Sequence, residues 1–525
     1  MQQRDGSLAQ QVGQLVFFGF DGYEVNDHAR RAIREQHLGN VILFSRNYRD
    51  PEQFFHLVQE LQREAAAANG APLLVALDQE GGSVTRLGRG MTWFPGPMAT
   101  RAAGAPELAF RVGEGIGAEM AALGANFCLA PLVDLANDPD SPHVGSRSYG
   151  AVPSTIAPYA AAFLAGLQGH VPGTAKHFPS IGGSHVDLHL ALGRNDHSLQ
   201  QLTACELAPV RNAVAAGAAA VMTSHEVYSA LENCPGTLSH KLVTGLLRQS
   251  YGFEGLVVSD CMEMQALARL VPTPEGCVRA VEAGVDLLLI CHTEATQAAA
   301  AQALAKAVRT GRIPPSRLEA SLSRIRRAKA ALPTSPSAYP PQGMADLLSR
   351  DAALTRRVCE GALTVQGQAL VFRCAPTERF LLLAPPSAAL TQADEAGGPG
   401  GLAAQLRQAF PCAECLEYPF PLCRESLRQA AQLLGSGGFS KVLVATYNAH
   451  ADPPQRELLA LAFASGLPVG AIALRSPYDA RWYGGAAARL FAYEYTPPMT
   501  AALVRFLQGT LSPRGSLPPD VAALL

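Results

Sequence analysis

The stretch AKHFPSIGGSHVDLHLALG, residues 175–193, gathers one Lys, three His and one Asp around Gly182 and Gly183. Three chemistries are open to it. His185 and His189 lie four apart, the spacing of two metal ligands on one helical face. Against a metal, PSIGGS disfavours an established helix by position 185, and no Glu stands where a zinc protease keeps its general base. Lys176 and His177 also add positive charge rather than ligand oxygen. The second reading is a solvated loop that is merely rich in His. Only five of the 42 basic residues are Lys, so Lys176 beside His177 looks chosen for its position. The third reading is proton transfer. In an extended loop residues two apart face the same side, so Asp187 can accept a hydrogen bond from one nitrogen of His189. That fixes the tautomer and stabilises the imidazolium when the other nitrogen takes a proton.

Other polar residues stand directly after apolar runs. Asp78 follows LLVAL, Asp134 follows NFCLA at a short distance, and Lys176 and His177 end GTAKH. His225 follows AAVMT, and Asp260 follows GLVVS. Any one of them could be a turn residue or a helix cap, Asp260 included, for which Ser259 would serve nearly as well. As an ordered set they point to one mouth. A carboxylate at 260, beyond a fully apolar strand, can act as a nucleophile toward an electrophilic carbon. A His–Asp pair facing it would make a retaining glycosidase centre, the His taking the place of the usual second carboxylic acid.

Such a mouth needs a scaffold. Eight short apolar runs recur through the first part of the chain: 15–18, 41–44, 73–77, 126–130, 173–177, 219–223, 255–259 and 285–290. Between them lie helical patterns such as PEQFFHLVQELQREAAAA. Strand then helix, eight times, predicts an α/β chain whose first unit, 1–331, is a (β/α)8 TIM-type barrel. GTAKH is the weakest of the eight as a strand. The Pro-rich LPTSPSAYPPQG, within 332–344, reads as a linker. The runs LVFRC, RFLLLA, KVLVAT, LPVGAI and ARLFAY then predict a smaller α/β sandwich domain over 345–525.

The totals narrow the partners. A chain of 525 residues is long enough for two or three units, and its net charge of −2 gives no electrostatic reason for nucleic acid or an anionic membrane. No stretch approaches the ~20 apolar residues of a membrane helix. The first residues lack the basic start, long apolar run and small-residue cleavage site of a signal peptide, so a cytoplasmic location is expected. Eleven scattered Cys argue against a disulfide framework. Cys412 and Cys415 alone have metal-like spacing, with Cys423 the only nearby third thiol and no His pair; zinc there is not expected.

With these residues in view, KHFPSIGGSHVDLHLAL resembles the Lys-His-Phe-Pro-Gly-His-Gly…Asp-Ser-His signature of family-3 glycoside hydrolases, in their bacterial β-N-acetylglucosaminidase branch. LDQEGGSVTRL resembles that branch's sugar-binding segment, VGSRSYG its Arg-Ser-Phe segment, and VVSDCMEM its nucleophile strand. The resemblance spans most of residues 8–330. It implies Asp260 as nucleophile and His189 as the loop acid/base, oriented by Asp187. It implies that Asp78, Arg86, Arg147, Lys176 and His177 bind the terminal sugar, with no metal and no organic cofactor. Residues 345–525 look like the C-terminal sandwich of two-domain members.

The expected activity is exo-acting, retaining release of terminal N-acetylglucosamine from a small carbohydrate, with peptidoglycan-derived muropeptides as the implied source. A β-glucosidase, a phosphorylase of the same family and a non-catalytic sugar-binding homologue stay open. This sequence departs from the pattern at Ser180-Ile181-Gly182 (Gly-His-Gly in the family), at Leu188 (Ser), at Gly193 (Pro) and at Ser83 (Arg). Oligomeric state is not legible.

Overall fold

The computed structural model describes residues 7–141, 143–183, 191–332, 336–386 and 401–525. Each of the eight apolar runs overlaps a strand: β1 Val16–Phe18, β2 Asn40–Ile42, β3 Leu74–Leu77, β4 Phe127–Cys128, β5 Thr174–Phe178, β6 Ala220–Thr223, β7 Leu256–Cys261 and β8 Leu287–Ile290. They pair in parallel, in the order β4-β3-β2-β1-β8-β7-β6-β5. Single parallel bridges, Cys128 with Gly173 and Leu132 with Lys176, nearly close the ring. GTAKH, weakest on paper, supplies four of the five residues of a buried strand.

The intervening helices follow from local chemistry. In Pro51–Asn69, the Asp50 carboxylate accepts from the Gln53 amide at 2.8 Å, Pro51 opens the first turn, and Gly70 stops the helix at φ +63°. Phe54, Phe55, Leu57, Val58, Leu61 and Ala65 make its buried stripe. The same spacing logic lays Pro106–Ala122 and Pro153–Leu167 side by side against the barrel.

The second unit is built on a six-stranded sheet: β9 Thr364–Gly367, β10 Leu381–Ala384, β11 Glu414–Glu417, β12 Val442–Thr446, β13 Val469–Ala473 and β14 Ala488–Phe491. Its order is β9-β14-β13-β12-β10-β11, parallel throughout except for β9 against β14. Side chains alternate between two cores, as the two-residue period of a strand demands. Leu381, Leu383, Val442 and Val444 face one core; Leu382, Ala384, Leu443 and Ala445 face the other. One expectation fails here. LVFRC is not a strand: Ala369–Phe372 is a short 3-10 turn, with Phe372 buried but Leu370 and Val371 turned outward.

The first of these cores also takes Met98, Leu132, Ala136, Val144, Ile181 and Met264 from the barrel's loops, so the two units share apolar packing. Polar contacts run through the same seam. The Gly96 amide donates to Glu494 at 2.6 Å, and Arg101 pairs with Asp520 at 2.7 Å. The Tyr478 hydroxyl donates to the Ala136 carbonyl, and Arg481 pairs with Asp140. Helix Pro341–Ala362 starts inside the Pro-rich segment, with Pro341 at its first position. Among the described residues no helix is long and apolar enough to cross a membrane.

Candidate active site

The carboxyl ends of the barrel strands surround a cavity of about 490 Å³. Its wall includes all the described site residues expected from the sequence: Asp78, Arg86, Arg147, Lys176, His177 and Asp260. Asp187, His189 and His185 lie outside the described residues.

The Asp-Gln-Glu-Gly-Gly segment is a hairpin, Gln79–Gly81 against Val84–Thr85, at the end of β3. It closes only with glycine. Gly81 and Gly82 sit at φ +86° and +61°, and a Cβ on Gly81 would come within 2.5 Å of the Pro95 carbonyl oxygen. The Gln79 side-chain oxygen accepts from the Arg86 amide at 2.8 Å, which folds Arg86 back over the mouth. Arg86 then lies 3.5 Å from Asp78, with its guanidinium carbon 5.7 Å from the centre of the Phe44 ring.

At the centre is Glu80, which the sequence reading passed over as a site residue. Arg147 donates to it through two nitrogens, at 2.8 and 2.9 Å, and Lys176 lies 2.6 Å away. Lys176 also donates to Asp78 at 2.7 Å. Burial alone would push Asp78 and Glu80 up. The cations win: Lys176 and Arg86 hold Asp78 below the usual carboxylate range, and Arg147 and Lys176 hold Glu80 well below it. Burial would likewise lower Lys176, but Asp78 and Glu80 raise it. The group is therefore a fixed array of alternating charges at the mouth.

A second carboxylate hub is Asp134. It accepts from the His177 ring Nδ1 at 2.7 Å and the His177 amide at 3.1 Å, and from the Ser180 hydroxyl and the Ile181 amide, both at 2.8 Å. The ring is thereby turned so that Nε2 lies 3.7 Å from the Asp260 carboxylate. Ser180, one of the departures from the family pattern, is thus tied into the hub, and its own oxygen accepts from the Gly182 amide at 2.9 Å. His225, the strand-end residue of β6, does not line the cavity. It donates from Nε2 to the Cys261 carbonyl at 2.9 Å and props β7 from behind.

Asp260 differs from Glu80 and Asp134 in its exposure. Its side chain is 22 % exposed, against 1 % for Glu80 and 0 % for Asp134, and Oδ1 accepts from the Cys261 amide at 2.7 Å. Two thiols share its part of the wall, Cys261 and Cys291, together with His292 and Glu263. The hydrogen bond between the thiols draws the Cys261 thiol down and pushes Cys291 up; burial opposes the first shift and adds to the second. The sequence reading missed this cluster, although VVSDC and LLLICH place a Cys at the ends of two successive strands.

Comparisons with known proteins give the family of this barrel. The model of the glycosyl hydrolase family 3 N-terminal domain matches residues 7–328. The chain belongs to glycosyl hydrolase family 3. A family 3 β-N-acetylglucosaminidase from Paenibacillus sp. str. FPU-7 superposes with a TM-score of 0.90 at 36% identity, covering 98% of this chain and 99% of that one. A β-hexosaminidase from Alkalilimnicola ehrlichii is 33% identical over 291 residues, 54% of this chain and 82% of the relative. Over nearly the whole length, 93% of this chain and 90% of the other, β-hexosaminidase A of Pseudoalteromonas piscicida is 26% identical. As a family 3 chain the protein is a glycoside hydrolase, with its barrel mouth at the expected face.

Proposed function

We propose that this family 3 hydrolase is an exo-acting, retaining β-N-acetylglucosaminidase of the cytoplasm, acting on small N-acetylglucosamine-containing glycans such as muropeptide fragments. The observation that carries the reading is the contrast among the mouth carboxylates. Glu80 and Asp134 are buried and hydrogen-bonded on several sides, and Asp78, 17 % exposed, is held by Lys176 and Arg86, whereas Asp260 is the most exposed of the four at 22 %. A nucleophile must reach carbon, and a carboxylate bound on all sides cannot. The names of the relatives above support N-acetylglucosamine as the sugar.

In this reading Asp78, Arg86, Arg147, Lys176 and His177 grip the hydroxyls of the terminal sugar. Asp260 attacks the anomeric carbon while His189, oriented by Asp187, protonates the leaving oxygen. Water, deprotonated by the same His, then releases the sugar from Asp260. Neither step calls on a metal or an organic cofactor.

The test compares 4-nitrophenyl N-acetyl-β-glucosaminide with the matching β-glucoside, with and without inorganic phosphate, in wild type and Asp260→Ala. Turnover of the N-acetyl substrate alone, lost in the variant, is expected. Turnover of the glucoside instead, or release of a sugar 1-phosphate, would overturn the assignment. The first-formed product should be the β-anomer by NMR. His189→Ala should slow leaving groups of high pKa most; uniform slowing would remove His189 from the acid role.

A further inference from the structure

Among the described residues, the group able to hold a metal ion is Cys261, Cys291 and His292. Their ligand atoms, two sulfurs and an imidazole nitrogen, all lie within 4.8 Å of one another. Two zinc–sulfur bonds of about 2.3 Å at a tetrahedral angle span roughly 3.8 Å, so one ion between them needs only small side-chain movements. The strands bring the donors together. Cys261 ends β7, and Cys291 directly follows the last residue of β8, its parallel neighbour.

The surroundings hold these donors in place. His225 donates to the Cys261 carbonyl at 2.9 Å. The Glu263 carboxylate accepts from the amides of His292 and Thr293 at 2.7 and 3.0 Å, and the His292 ring stacks on Phe44 at 5.8 Å. Arg46 is the nearby cation. It donates to the Cys291 carbonyl at 2.7 Å, and Asp21, 2.6 Å away, offsets its charge. Two thiols and an imidazole favour soft or borderline cations over magnesium or calcium. Three protein donors also leave one coordination position vacant, as in an open zinc site.

We propose that Cys261, Cys291 and His292 form an inhibitory site for a thiophilic divalent cation, zinc or cadmium, on the wall of the sugar pocket beside Asp260. The ion is not a cofactor. It places positive charge next to the nucleophile and fills space that the sugar needs, so it competes with substrate. The inhibition rests on the proposed activity; the binding does not.

Two readouts keep them apart. In the full-length, metal-stripped protein, cadmium should develop an ultraviolet thiolate-to-metal charge-transfer band, saturating at one ion at this site. Cys412→Ser, a change at the exposed thiol, should leave that band. Cys291→Ala should lower it and His292→Ala should weaken cadmium affinity at least tenfold. Because Cys291 is buried, the variant at exposed His292 guards against a folding defect. Undiminished affinity in His292→Ala, or an unchanged band in folded Cys291→Ala, would overturn the site. Zinc should inhibit aryl-glycoside hydrolysis competitively in wild type, with at least tenfold more needed for His292→Ala. Equal inhibition of both would overturn the inhibitory role. A cadmium band with no glycosidase activity would sink the proposed function and leave the metal site standing.

Discussion

Glu80→Gln tests whether the charge array at the mouth works as a unit. Glu80 is 1 % exposed and receives two nitrogens of Arg147 and the ammonium of Lys176, all within 2.9 Å. Glutamine keeps the shape and one acceptor but turns an NH2 group toward one of the cations. Breaking a buried ion pair by removing one partner costs ~3–5 kcal/mol. Lys176 retains Asp78, and the amide retains one acceptor, so the loss should fall toward ~2–3 kcal/mol. If, as proposed, Arg147 grips the sugar, misplacing it forfeits one charge-assisted hydrogen bond, ~1.5–3 kcal/mol, or roughly 10- to 150-fold in kcat/KM. Urea unfolding and aryl-glycoside kinetics read the two numbers.

Acidification adds a check on sign. The folded Glu80 carboxyl is held well below its ordinary 4.5, so its stabilisation is present above that value and lost as pH falls. The gap between wild type and Glu80→Gln should therefore narrow below about pH 4.5. Stability within ~1 kcal/mol of wild type, the typical net value of one neutral hydrogen bond, with unchanged kcat/KM would refute the reasoning.

Ser180→Ala removes one of the four hydrogen bonds on Asp134. It should cost ~1 kcal/mol in urea unfolding and less than tenfold in kcat/KM, because the Ile181 amide still holds the same oxygen. At the seam, burial pushes Glu494 up to about 7. A raised carboxyl stabilises below its ordinary pKa and loses that contribution as pH rises through about 7. The Tm of wild type should fall over that rise, and Glu494→Gln should flatten part of the fall. Glu119 and Asp479, also pushed up to about 7, keep the remainder. A chain ending at residue 331 would bare Met98, Leu132, Val144, Ile181 and Met264 and leave Arg101 without Asp520. It should bind a hydrophobic dye and lose its near-ultraviolet circular dichroism; cooperative unfolding with wild-type kcat/KM would contradict this.

The barrel was legible because a strand buried on both sides reads as an unbroken apolar run, and helices between such runs show their own period. Asp78, Lys176, His177 and Asp260 were legible for a related reason: polar residues at strand ends tend to meet in one mouth, although His225 turns behind β7 instead. Residues that work through others left weaker traces. Glu80 lies in a hairpin beyond β3, and only folding reveals that it binds two cations at once. Cys261 and Cys291 are thirty positions apart in the sequence, and parallel pairing of β7 with β8 makes them neighbours. In the second unit β9 and β11 escaped notice because Thr364–Gly367 and Glu414–Glu417 are edge strands with exposed polar side chains. LVFRC misled for the opposite reason, carrying Leu370 and Val371 on the outside of a turn that buries Phe372 and Cys374. The seam has no sequence signature, yet it acts on the site. Tyr478 holds Ala136 and Asp520 holds the Ala151 amide, at the two ends of the loop that delivers Arg147 to Glu80. A smaller unit whose described residues contribute no side chain to the cavity wall thereby helps to fix the position of one of its cations.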